Sequence, residues 1–378
     1  MKVPHAGLAL IAGSAGLIAA GLMAQASDPN RLAAPVKKAI RIVSAGERLD
    51  ALARAQVWRP PAVPVSQAHL AAAPAAPAFL SCRFQISDLG GTSQKFDCML
   101  ENGDLVRVKY GRTPEIPSEV AASRLLRALG FGADEVMLVE RLRCHGCPVE
   151  PFVTMKAVEL TDSDGFYRQL VDYEHYRDFE WVAIERKGGG RAIGTGQVKE
   201  WAFFELDQID AAKGGAPRAH VDALRLLAVF LAHWDNKSEN QRLVCESEHD
   251  WPEGGACRAP FAMLQDIGGA FGPRKVDLDG WRAAPIWDDR ARCTTSMTAL
   301  PYEGATFAPV TITEAGRRHL ASLLGQLRDD QIAGLFAGAR FDQATGLLPT
   351  VVPHGIPEWV AAFKSRVRAI SDGPACPQ

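Results

Sequence analysis

The sequence predicts an α+β protein with its strands gathered ahead of most of its helices, on three observations. Between Cys82 and Leu142 apolar and polar residues alternate in short runs broken by turn residues. From Val221 onward the apolar residues recur at helical spacing. A polar stretch, His233 to Asn240, follows directly on the first of those helices. Strands first and helices later give segregated layers rather than a βαβ alternation. The 378 residues, 47% of them hydrophobic, suffice for a sizeable core. A net charge of −2 and a pI near 6.5, with both signs interspersed, point away from nucleic acid and from anionic membrane surfaces.

The N-terminus reads as a targeting segment. Lys2 supplies a positive start, Ala6 to Met23 is an apolar Gly/Ala/Leu run, and Ala24-Gln25-Ala26 has the small-residue pattern of a cleavage site before Ser27. The expectation is a signal peptide over 1–26, cleaved after Ala26, and a periplasmic or secreted protein with no membrane span left after cleavage. An uncleaved anchor is the rival, because the run is close to long enough to span a bilayer. With no cysteine among the first 81 residues, the segment is not a lipoprotein signal. Residues 27–80 are rich in alanine and proline and are expected to form a loosely ordered linker. One amphipathic helix is expected over Lys37 to Gln56, then an extended stretch from Pro60 to Pro77.

From Phe79 the texture changes. Cys82 to Ser87 and Lys95 to Leu100 read as strands flanking Asp88-Leu-Gly-Gly-Thr-Ser93. Glu101-Asn-Gly-Asp104 is a tight turn with Asn-Gly at its centre, and Leu105 to Tyr110 alternates as the next strand. A helix capped near Ser118 runs from Glu119 to Leu129 and stops at Gly130. Val136 to Leu142 and Phe152 to Val158 read as strands. Phe179 to Glu185 and Trp201 to Leu206 read as short strands or buried turns on either side of Gly188-Gly-Gly190. Val221 to Ala232, Glu314 to Ala337 and Glu358 to Ile370 are amphipathic helices. The pattern divides the chain into 81–206, rich in strands with one helix, and 207–378, mainly helical.

Four features fall in a suggestive order. Gly90, Gly91, Thr92 and Ser93 sit in a hairpin whose backbone amides can approach phosphates, because small residues leave room. A bare Gly-Gly between strands is by itself an ordinary turn. Lys109 lies on the next strand. Val106 and Val108 share one face of it, which places Lys109 with Arg107 on the other. Glu119 opens the following helix and is placed to pair with Lys109. Glu115 is the rival, and a carboxylate at a helix N-terminus also simply complements the dipole.

The fourth feature is a pair of motifs. In His233-Trp-Asp-Asn-Lys-Ser-Glu-Asn240 an aspartate follows the histidine by two, a lysine by four and an asparagine by seven. Asp266-Ile-Gly268 then ends an apolar run. Alone, Asp235 and Asn240 are polar caps after a helix. Together the groups suit phosphoryl transfer, which needs a carboxylate beside the attacking hydroxyl, oxygen ligands for a divalent cation and a cation on the phosphates.

Leu105 to Gly130, His233 to Leu243 and Met263 to Gly269 together resemble the protein-kinase-like superfamily, in its atypical HipA-type, phosphoinositide, secretory-pathway and spore-coat CotH branches. Glu119 to Gly130 is similar to the corresponding helix of the HipA and phosphoinositide branches. The resemblance covers short motifs and their order. It implies a two-lobed fold, a small β-rich N-lobe over 81–206 and a mainly helical C-lobe over 207–378. It further implies an exported phosphotransferase using ATP, or another nucleotide, with Mg²⁺ or Mn²⁺. The acceptor would be a hydroxyl of a protein, a glycan or a small molecule.

By the same resemblance Asp235 is the catalytic base and Lys237 contacts the γ-phosphate. Asn240 and Asp266 hold the metal, Lys109 binds the α- and β-phosphates, Glu119 anchors Lys109, and Gly90 to Ser93 cover the nucleotide. Trp234 stands where an arginine is usual, no Ala-Pro-Glu follows Asp266, and the gap from Asn240 to Asp266 is long. A catalytically inactive kinase-like binding module is therefore the alternative.

Eight cysteines in an exported chain are disulfide candidates, and Cys245 with Cys257, flanking a polar excursion, is the expected pair. Cys144-His-Gly-Cys147-Pro148 also allows a thiol–disulfide protein, if those two thiols are free and exposed. Trp281 and Trp287 either face a substrate or anchor the packing.

Overall fold

A computed structural model of the chain describes residues 40–71, 78–186, 190–247, 251, 255–300, 304–344 and 353–377. The expected signal peptide, its cleavage site, and residues 27–39 and 72–77 of the expected linker lie outside the described residues.

The chain is mixed α+β. It begins with β1 (Arg41–Ile42) and α1 (Ala45–Ala53). Next come β2 (Phe79–Gln85), β3 (Lys95–Leu100) and β4 (Leu105–Lys109). There follow α2 (Glu115–Ala128), β5 (Gly132–Ala133), β6 (Glu135–His145), α3 (Pro151–Thr161), α4 (Asp164–Arg168) and β7 (Tyr176–Arg186). After β8 (Arg191–Gly194) come α5 (Arg218–Leu231), β9 (Gln241–Cys245) and β10 (Phe261–Leu264). The last elements are α6 (Leu278–Ala283), β11 (Thr294–Thr295), β12 (Val310–Thr311), α7 (Glu314–Leu324), α8 (Asp329–Gly338) and α9 (Ile356–Ser371).

Five strands close into a barrel in the order β2-β3-β4-β7-β6, with β2 pairing parallel to β6 to complete the ring. The Asn-Gly turn sets the β3–β4 register, so Lys95 lies opposite Lys109 and Asp97 opposite Arg107. Alternation then fills the inside with Phe84, Phe96, Cys98, Val106, Val108, Val139, Val182 and Ile184. Lys95, Asp97, Arg107 and Lys109 lie on the other face, where Lys109 meets Glu119 of α2. A second sheet, β1-β8-β9-β10-β5, carries β9 and β10 beneath the barrel residues that matter below. The larger core joins α2, α5 and α7 to α9 through Val120, Leu125, Leu224, Leu227, Leu320, Phe336 and Phe363.

Several expectations are corrected. Residues 45–70 are not a loose linker: Ala51, Leu52, Ala55 and Val57 are fully buried in the main core. Ser44 caps α1 through the Glu47 amide, giving a shorter helix than Lys37 to Gln56. Phe152 to Val158 is helical, in α3, because Met155 and Val158 at helical spacing cover the barrel core while Val153 stays exposed. The long helix expected over Glu314 to Ala337 is two, α7 and α8, broken at Gly325-Gln326-Leu327. Of the two readings left open for Trp201 to Leu206, the buried turn holds: the segment runs into a 3₁₀ turn with Phe203 and Leu206 buried. The α2 helix starts at Glu115, so Ser118 is inside it and donates to the Ala270 carbonyl at 3.1 Å.

All eight cysteines are paired, as Cys82–Cys98, Cys144–Cys147, Cys245–Cys257 and Cys293–Cys376. The expected Cys245–Cys257 bond is among them. Among the described residues no helix is long and apolar enough to cross a membrane. The four disulfides fit an extracellular protein.

Candidate functional site

Lys109 ends β4 on the outer face of the barrel, where α2 covers it, and only 2% of it is exposed. An ammonium so buried needs partners. Its Nζ lies 2.8 Å from Glu119 Oε1 and 2.8 Å from Asp266 Oδ1. Glu115, the rival of Glu119, is farther away, with its Oε1 at 3.9 Å. Glu115 instead accepts from Ser93 Oγ at 2.6 Å and from Lys275 Nζ at 2.5 Å. So Ser93, Lys109, Glu119 and Asp266, singled out from separate parts of the sequence, meet in one network of charges. Gly90, Gly91 and Thr92 stay exposed in the turn above it.

Burial alone penalises the Lys109 ammonium. The Asp266 and Glu119 carboxylates, with Glu185 and Glu115 nearby, outweigh that and hold its pKa well above the ordinary lysine value. One ammonium among several carboxylates does not neutralise them all, and burial pushes the Glu119 carboxyl up. Glu115 faces the same burial, but Lys109 and Lys275 together hold its pKa below the usual range.

The second half of the site is built by α5 and the loop after it. Ala232 takes a left-handed turn at the end of α5, which releases the chain into His233 to Asn240. Two backbone bonds tie this loop and the end of α5 to the segment after β10: Trp234 N donates to the Gly269 carbonyl at 3.1 Å and Phe271 N to the Leu231 carbonyl at 2.7 Å. Asn240 Nδ2 donates to the Asp235 carbonyl at 2.8 Å, and Asn240's own carbonyl accepts from Gln265 N at 2.7 Å. Lys237 Nζ stands 3.2 Å from Asp235 Oδ1. Asn236 is fully buried, and its Oδ1 accepts from the amides of Thr306 and Phe307, which anchors the loop from below.

Close packing here depends on two glycines. A β-carbon on Gly268 would come within 2.4 Å of Glu115 Cγ, and one on Gly269 within 2.6 Å of Asp235 Cβ. Asp266 itself is left-handed, with φ 47°, a costly conformation for an aspartate that the surrounding bonds enforce.

Asp266 and Asn240 offer a carboxylate and an amide oxygen, and the Asn240 nitrogen is already committed to Asp235. Such a hard oxygen set suits Mg²⁺ or Mn²⁺ and not a thiophilic metal. His233 is buried, and burial lowers its pKa, so it is a neutral prop rather than a surface base. Trp281 is fully buried with Nε1 on the Phe230 carbonyl, and Trp287 donates to the Ala369 carbonyl; both anchor packing. Cys144 is buried and bonded to Cys147, so the two thiols are not free.

Sequence reasoning missed Lys95, Lys275 and the double role of Glu115. Lys95 is 4% exposed, and a β-carbon on Gly91 would lie 3.2 Å from its Nζ. Burial lowers its pKa, with Asp266 opposing. The Asn-Gly turn register, which sets Lys95 opposite Lys109, was the available signal. Lys275 follows Asp266 by nine residues and carries no local pattern. A cavity of about 390 Å³ between residues 61–71, α2 and the start of β6, edged by Arg124, Arg127 and Glu135, lies away from all these groups.

No known protein family and no curated protein matches the chain. Among solved structures, a Helicobacter pylori proinflammatory kinase, CtkA, is similar over 77% of this chain and 96% of that one, at 11% identity and a TM-score of 0.43. A likeness that distant says nothing of activity or substrate.

Proposed function

We propose that the protein is a two-lobed, kinase-like phosphotransferase that uses ATP or another nucleotide and works outside the cytoplasm. The observation that carries this reading is the meeting of Lys109, Glu119 and Asp266 within 2.8 Å, with Asp235 packed against Gly269 beside them. Those residues come from a strand, a helix and two loops, and they supply the cation and the carboxylates that phosphoryl transfer needs.

In this mechanism Lys109 neutralises the α- and β-phosphates, and Glu119 fixes its direction. Ser93 and the Gly90–Thr92 turn close over the nucleotide, with Lys95 and Lys275 adding positive charge. Lys237 holds the γ-phosphate, and Asp235 accepts the proton of the attacking hydroxyl. Asn240 and Asp266 would hold the Mg²⁺ or Mn²⁺, which supplies charge neutralisation on the phosphate oxygens. The acceptor is a hydroxyl on a protein, a glycan or a small molecule.

The test is a thermal shift of the oxidised protein, freed of residues 1–26, against ATP, ADP, GTP and UTP with and without Mg²⁺ and Mn²⁺. A ligand at 100 times its Kd stabilises the native state by about 2.7 kcal/mol. A metal-dependent shift that disappears in Asp266→Ala supports the reading. No shift with any nucleotide overturns it.

A further inference from the structure

The cysteine motif left over from the cleft does not stand alone. Cys82 and Cys144 are register partners on the parallel strands β2 and β6, and Cys98 lies on β3, the other neighbour of β2. The Cys98 and Cys144 sulfurs, which belong to different disulfides, are 3.8 Å apart. The Cys82, Cys98 and Cys144 sulfurs all lie within 4.8 Å of one another and are buried. Cys147 differs, being half-buried at the end of the Cys144-His-Gly-Cys147 turn.

We propose that Cys82, Cys98, Cys144 and Cys147 form a two-disulfide exchange centre that reacts with an external thiol at Cys147. The thiolate of a low-molecular-weight thiol attacks the Cys147 sulfur, which forms a mixed disulfide there and breaks the Cys144–Cys147 bond. Cys144 leaves as a thiolate in an apolar site, where burial makes an unpaired charge costly. It attacks the Cys98 sulfur, forming Cys98–Cys144 and expelling Cys82, which takes up a proton. A second external thiol then attacks its sulfur on Cys147, and the Cys147 thiol is released. Two thiols are oxidised to one disulfide, and one protein disulfide is reduced to the thiols of Cys82 and Cys147. The staple between β2 and β3 is replaced by one between β3 and β6, on either side of β2. This exchange is independent of whether the cleft transfers phosphate.

Limited treatment of the folded protein with reduced glutathione, followed by alkylation and non-reducing peptide mapping, tests it. The expected partly reduced species links Cys98 to Cys144 and carries alkyl groups on Cys82 and Cys147. A species alkylated at Cys144 and Cys147 with Cys82–Cys98 intact overturns the proposal, as does no reaction at all. Cys147→Ser checks it without a reductant: Cys98–Cys144 should appear with Cys82 free. Finding only Cys82–Cys98 with Cys144 free would refute the relay.

Discussion

Asp235 and Gly269 touch across two loops with no room between them, since a β-carbon on Gly269 would lie 2.6 Å from Asp235 Cβ. The contact sits one residue from the bond between Trp234 N and the Gly269 carbonyl. Asp235 is therefore seated directly against the loop that carries Asp266.

Gly269→Ala should accordingly displace Asp235 while leaving Lys109, Glu119 and Asp266 in place. The expected outcome is at least a tenfold loss of phosphate transfer, about 1.4 kcal/mol of barrier, with the nucleotide-induced thermal shift retained. Loss of the shift as well would mean that the contact supports the whole fold rather than Asp235.

Lys109→Met removes the ammonium from between Glu119 and Asp266. A buried carboxylate left without its partner costs about 3 to 5 kcal/mol. Glu119→Gln added to Lys109→Met should restore part of that loss, because the uncompensated charge is gone. Urea titration of the two single variants and the double gives the coupling, and strict additivity would show that the pair does not interact.

Arg124 sits at the edge of the 390 Å³ cavity, with both terminal guanidinium nitrogens shut off from solvent and without a hydrogen-bond partner. Burial pushes its pKa down to about 10. Replacing it with methionine keeps the packing stem and removes the desolvated charge, so Arg124→Met should stabilise the protein by about 1 to 3 kcal/mol. A destabilised variant would show that the guanidinium has a partner after all.

Burial depresses the pKa of His233, and also of His220 and His319, which stack at 4.7 Å between ring centres. Below the ordinary histidine value of 6.5 the unfolded chain takes up protons that these folded imidazoles refuse. Stability from this source is complete above pH 6.5 and falls as pH drops towards the folded values, by at most about 1.4 kcal/mol per pH unit for each proton. Urea midpoints at pH 7.5 and 5.5 should show the fall, and His220→Asn with His319→Asn should reduce it, leaving the part that His233 contributes. A midpoint that rises on acidification would contradict the sign.

Cys293–Cys376 joins residues 83 apart and Cys245–Cys257 residues 12 apart. Loop-closure entropy gives about 4.5 kcal/mol for the first and about 3 for the second. Paired serine variants should lose stability in that order under urea.

Local patterns disclosed much of this. The Asn-Gly turn and the alternation around it placed β3 and β4 to within a residue, and Val106 and Val108 did mark the face opposite Lys109. The 3.6-residue repeat located α9, which packs a single apolar stripe, and also α5, although Val221 to Leu231 is buried on every face. It failed at Phe152 to Val158, where a short apolar run is equally a strand, and only contact with the barrel core decides. It also ran through Gly325, since α7 and α8 keep similar apolar spacing across the break. Glu119 was preferred to Glu115 from position alone, and the distances place it nearer Lys109. The clamp of Ser93 and Lys275 on Glu115 joins three remote segments, and nothing in any one of them announces it. The parallel pairing of β2 with β6 is hidden for the same reason: it links residues far apart in the chain with no shared signature.

That pairing has a consequence for how the molecule meets its neighbours. A ring of strands has no first and no last member, so each of the five barrel strands pairs with a neighbour on both sides over part of its length. In the other sheet the outermost strands, β1 and β5, are each two residues long. Neither is long enough to template a stranger's strand. Protection against cross-molecular β-pairing is thus carried in part by the topology itself.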